Sequence, residues 1–115
     1  MLAVRFIAVL ALLFAPVVIG APKAELWPFW DASDSSSERA VDHSDWQRFL
    51  EQDLVQDDDG INKVAYKAVS EADQQALLVY LAALATQDPR LLNKREQLAY
   101  WINLYNALTV KVVLD

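Results

Sequence analysis

From Leu98 to Leu114 the chain reads Leu-Ala-Tyr-Trp-Ile-Asn-Leu-Tyr-Asn-Ala-Leu-Thr-Val-Lys-Val-Val-Leu, with Lys111 as its only charge and no clean polar face. Asn93 and Glu96 make a cap-and-return pair just ahead of it, so the run is expected to be helical from Lys94 to Asp115. At 1.5 Å per residue such a helix is ~33 Å long. A helix that is apolar all round belongs in the middle of a structure. Lys111 is expected to snorkel to solvent.

The remaining sequence supplies little to enclose that helix. A first helix is expected to open on a capping box, Ser44 with Gln47, and to bury Trp46, Phe49, Leu50 and Leu54. The turn formers from Gln56 to Gly60 stop it. Alternation from Ile61 to Tyr66 predicts a short strand or extended arm. A second helix is expected from Ser70 to Thr86, with Leu77, Leu78, Leu81, Leu84 and Ala85 on its buried face, ended by Asp88-Pro89. The predicted fold is therefore mainly α: three helices with a short extended arm, an incomplete portion of a larger α+β domain. The cover for helix 94–115 is expected from a missing C-terminal half of the domain or from a partner chain.

Residues 1–20 read as a secretory signal peptide, with Arg5 as the only charge before an apolar run from Phe6 to Ile19. The run is short for a membrane-spanning helix, which needs ~20 residues. Cleavage after Gly20 leaves Val18 and Gly20 at the specificity positions; cleavage after Ala21 sets Pro22 against the cut, a poor site, and cleavage after Ala24 is the other choice. Removing residues 1–20 takes the formal charge from −6 to −7, since only Arg5 is lost. The expected destination is exported, periplasmic or secreted, with no integral membrane segment after cleavage. Residues 21–45 then form an extended polar and aromatic leader, and residues 46–115 the N-terminal part of the domain. In the leader, Trp27 and Trp30 are read as covering a hydrophobic patch.

The chain holds 16 acids, 10 bases, one His and no Cys. The acidic balance argues against nucleic acid as a partner. The absence of Cys excludes disulfides, thiolate zinc sites and thiol catalysis within these residues. Asp57-Asp58-Asp59-Gly60 does not fit a calcium loop, because the required carboxylates would fall on Val55 and Tyr66; it is read as a solvated turn. His43 is read as a solvated surface residue. No metal site, cofactor or catalytic constellation is expected. The one candidate site is a buried polar group on the last helix: Asn103 and Asn106, three apart on one face, with Tyr105, and with Tyr100 at its edge. Buried amides must be hydrogen-bonded, at a cost of ~1–3 kcal/mol each if they are not. The favoured role is to tie down backbone from neighbouring strands or loops.

The stretch from Arg95 to Val110, with its Trp-Ile-Asn-Leu-Tyr-Asn-Ala core at Trp101 to Ala107, closely resembles the opening motif of the domain of unknown function 547 family. Leu26-Trp27-Pro28, Asp42-His43-Ser44 with Trp46, Asp59-Gly60 leading to Val64 and Tyr66, and Asp88-Pro89 resemble its upstream features in order. The resemblance implies an exported bacterial protein without an assigned reaction. It also implies a domain continuing past residue 115 into strands and a Cys-containing segment, so that the chain is the N-terminal portion of a truncated member. On this reading the chain alone is non-catalytic. The alternatives are part of a cysteine-hydrolase-like or transglutaminase-like enzyme whose nucleophile lies in missing sequence, and a small adaptor that dimerises through the last helix.

Overall fold

The computed structural model describes residues 20, 21 and 23–115. The expected signal segment lies, apart from Gly20, outside the described residues. The fold is mainly helical with a small two-stranded sheet. A short helix α1 (Pro28–Asp31) precedes α2 (Ser44–Asp53), strands β1 (Leu54–Gln56) and β2 (Asn62–Val64), α3 (Glu71–Ala85) and α4 (Lys94–Leu114). Single 3-10 turns at Tyr66–Ala68 and Pro89–Leu91 lead into α3 and α4.

Two of the three long helices start as expected. Ser70 accepts from the Asp73 amide at 3.1 Å, and Asn93 accepts from the Glu96 amide at 3.0 Å. The capping box at Ser44 is not formed. His43 holds the N-cap position of α2 without a side-chain bond, Ser44 is already helical, and its amide is taken by Asp42 at 2.8 Å. Gln47 bonds forward to Glu51 instead. Asp42 competes successfully because an aspartate two residues ahead closes an Asx turn locally.

α2 also ends one residue before the last apolar position of its expected stripe. Leu54 is extended and begins β1, where it pairs with Val64. The predicted arm is thus half of an antiparallel hairpin in the register Leu54–Val64, Val55–Lys63, Gln56–Asn62. Gly60, at φ +76°, makes the turn that glycine tolerates at little cost. Lys63 spans Asp57 and Asp59, so the acidic turn carries its own counter-charge.

α3 is the central element and packs on both α2 and α4. Its buried face is Leu77, Tyr80 and Leu84, with Leu81 half-buried; Leu78 and Ala85 are exposed, against expectation. The physical reason is that Tyr80 takes the inner position, stacking on Trp46 at 6.3 Å, and turns Leu78 outward. Trp46 stacks in turn on Phe49. From α4, Tyr100 donates to the Leu84 carbonyl at 3.0 Å, and Ala107, with no exposed surface, joins the same core cluster. Gln97 is buried and donates to the carbonyls of Ala32 (2.6 Å) and Pro89 (3.0 Å), fixing the leader against the α3–α4 connection. Trp30 meets Trp101 edge-on at 5.6 Å, and Arg90 lies 4.0 Å over the Phe29 ring. Trp30 therefore packs on the body, whereas Trp27 is exposed.

One acid lies in this core. Asp53, 5% exposed, closes α2 facing Asp73 in the first turn of α3, and its Oδ2 has no other partner. Burial, then the hydrogen bond and negative charge of Asp73, push the Asp53 carboxyl above its ordinary 3.8.

Leu84, 1% exposed, and Val112, on an open face, give a direct contrast. Leu84→Ala is expected to cost ~2–5 kcal/mol in urea unfolding, and Val112→Ala no more than about 0.5 kcal/mol. Because the folded state raises the Asp53 pKa, its contribution to stability is complete below 3.8 and is lost as pH rises through the folded value. Asp53→Asn removes that dependence. Its unfolding free energy should gain on the wild type as pH rises from about 4 to 7; a constant difference across that range would refute the raised Asp53 pKa.

Candidate functional site

α4 divides into three strips. Tyr100, Ala107 and Val110 face the core. Leu98, Trp101, Ile102, Tyr105, Leu108, Val112 and Val113 form an exposed apolar strip. Between the two lie Asn103 and Asn106, on the wall of a groove of about 370 Å³ that Thr109 and Val110 extend. The opposite wall is Trp46 and Leu50 of α2 with Val64 and Tyr66 at the end of the hairpin.

The structure therefore brings the two asparagines together on one groove wall, as their spacing requires. It does not bury them: Asn103 is half-buried and Asn106 exposed. Neither carboxamide has a hydrogen-bond partner among the described residues. The expectation of burial presumed a helix enclosed on every side, whereas α4 carries exposed residues from Leu98 to Val113. Tyr105 is separated from the pair. At about 100° per residue, position 105 lies roughly 200° around from position 103. Its ring, 72% exposed, borders a shallow apolar depression with Leu108, Val112 and Val113. Tyr100 also leaves the site, since its hydroxyl faces α3. Burial raises the Tyr100 pKa, with the charge of Asp88 adding to it.

The groove wall from the other elements was missed by reading α4 alone. Thr109 was available to the sequence, being three residues beyond Asn106; its hydroxyl donates to the Tyr105 carbonyl at 2.8 Å. Trp46, Val64 and Tyr66 come from elements whose relative placement no local pattern encodes. Lys111 is half-exposed and pairs with Asp115, in keeping with a snorkelling side chain.

His43 is not a solvated surface residue. It is half-buried, with Nδ1 2.6 Å from the Tyr80 hydroxyl and Nε2 enclosed without a partner. Burial, followed by the charge of Asp42, pushes Tyr80 up to about 12, so the phenol keeps its proton and can donate it in the bond to Nδ1. The pair clamps the start of α2 to the middle of α3. It lacks a nucleophile, and its inner nitrogen is closed to solvent. Among the described residues no group of three or more His, Cys, Asp or Glu is placed to hold a metal ion. No helix of the described residues is long and apolar enough to cross a membrane.

Residues 89–115, from the turn before α4 through the whole of that helix, match the model of a family described as "Protein of unknown function, DUF547". No curated protein and no solved structure matches the chain. The similarity to the DUF547 family thus covers residues 89–115, a small part of the chain.

Proposed function

We propose that the chain is an exported helical module, non-catalytic by itself, in which α4 is the spine of a larger assembly and a helix from other protein covers its free side. The exposed strip carries this reading. Leu98, Trp101, Tyr105, Leu108 and Val112 are all exposed and recur at intervals of three and four, the seam that a second helix packs against in left-handed pairs. Ile102 and Val113 widen it. Seven half-exposed side chains at roughly 100 Å² apiece present about 700 Å², close to the ~800 Å² that one partner buries in a stable interface. Monomeric soluble proteins seldom leave a contiguous apolar patch of that size open. The signal-like composition of residues 1–20 supports export.

The full chain after removal of the signal is expected to bind a hydrophobic dye and to self-associate in sedimentation experiments. Combining Leu98→Gln, Tyr105→Gln and Val112→Gln should abolish both while the far-ultraviolet helical signal is retained. A wild-type chain that stays monomeric and dye-free at high concentration would overturn the proposal. For export, N-terminal sequencing of the protein recovered outside the cytoplasm should begin at Ala21; recovery only as the uncleaved chain inside the cell counts against it.

A further inference from the structure

Side-chain polar groups tie α2 to α3 at both of its ends. At the start, His43 meets the Tyr80 hydroxyl. At the end, Asp53 meets Asp73 in the first turn of α3, and this second tie joins two acids. Carboxylates only accept hydrogen bonds, so a bond between Asp53 and Asp73 requires a proton on one of them. Asp53 is the member that holds it, being buried where Asp73 is half-buried. Burial disfavours the charged form of an acid, and a like charge beside it does the same. The enclosed Oδ2 of Asp53 receives no hydrogen bond from an amide, a hydroxyl or a base.

No base compensates this site, since none of the ion pairs among the described residues includes Asp53. On α2, Arg48 pairs with Asp45, and Glu51 is exposed. On the hairpin, Lys63 is held by Asp57 and Asp59. Lys67 on the 3-10 turn is exposed, as is Glu71 beside Asp73. Of the elements that meet at Asp53, the hairpin is the least held. The Asp53 carbonyl accepts from the Ala65 amide at 2.9 Å, so this residue closes α2 and also the ladder of β1 and β2. Among the described residues no hydrogen bond runs from residues 54–66 to α3 or α4. Val64 and Tyr66 reach the core only as partly buried side chains, and two strands alone are marginal. A second negative charge at Asp53 is therefore relieved at the hairpin, where local opening costs least.

We propose that Asp53 and Asp73 form a proton-operated latch that pins the end of α2, with the hairpin that follows it, to α3 in acid and releases the hairpin as pH rises towards neutral. In the closed form one proton lies between the two carboxyls. As pH rises that proton leaves to solvent, the two charges repel, and the hairpin moves off the body with Val64 and Tyr66. Those two side chains stand in the wall opposite Asn103 and Asn106, so the latch sets how open that groove stands. The sign follows from an Asp53 carboxyl that lies above its ordinary 3.8: closure is complete below that value and is lost as pH rises through the folded one. The latch acts within the chain and does not rest on what covers the apolar strip of α4.

Hydrogen exchange of the full chain, followed by NMR and corrected for the intrinsic rise of exchange with pH, reads the latch directly. The Ala65 and Asp57 amides are both rungs of the hairpin. Their protection should fall at least about threefold between about pH 4.5 and about pH 7.5, while the Tyr100 and Ala107 amides of α4 keep theirs. Asp53→Asn places an NH₂ donor against Asp73 at every pH, so Ala65 should stay protected throughout. Asp73→Asn removes the like charge and should flatten the fall. In the wild type the Asp53 carboxyl carbon should titrate above 3.8. Ala65 protection that does not change with pH, an equal fall in α4, or an unaltered fall in Asp73→Asn would each overturn the proposal. Should neither variant fold, an Asp53 carboxyl carbon titrating at or below 3.8 overturns it on the wild type alone.

Discussion

The contact between α3 and α4 is the constraint on which the other features depend. Ala107 and Tyr100 of α4 share one buried cluster with Tyr80 and Leu84 of α3. Tyr100 adds a hydrogen bond to the Leu84 carbonyl, so the contact is directional as well as apolar. α3 spends its remaining surface on α2 through Tyr80 and Trp46. A single central helix with a neighbour on each side yields an open, layered arrangement. It leaves the outer half of α4 without a second layer, and a domain needs at least two layers around one core.

That geometry sorts the residues of α4 by angle. Its nearly uniform apolar composition hides three different environments: a packed side, a groove wall with two unpaired carboxamides, and an open seam. The groove exists because the hairpin stops short of α4. The two-stranded sheet is small, and only its second strand reaches toward the helix. A sheet of two strands is marginal on its own, so its attachment to α2 through Asp53 and Ala65 contributes to its persistence.

Much of this was legible from residue order. The three long helices, the caps at Ser70 and Asn93, the turn at Gly60 and the shortage of cover for the last helix follow from periodicity, cap chemistry and composition. Other features depended on competition that local patterns do not rank. Leu54 fits a helical stripe and a strand equally well, and the partner Val64 decides between them. Ser44 is a good cap, but Asp42 reaches its amide first. His43 has nothing near it in sequence to suggest Tyr80, 37 positions away. Tyr105 is different: helix geometry alone separates it from Asn103, and grouping them by proximity in sequence overlooked the angle.

Gln97 carries a consequence for where the folded chain begins. Its one amide nitrogen reaches both the leader at Ala32 and the connection at Pro89, while Lys94 holds Asp31 through its backbone carbonyl and its carboxylate. Two residues in the opening turn of α4 therefore anchor a segment more than sixty positions upstream. The leader, polar and short of regular structure, is a tethered strap. Its point of attachment lies inside the stretch that the DUF547 family model matches, so whatever replaces or displaces that strap acts first on the start of the matched helix.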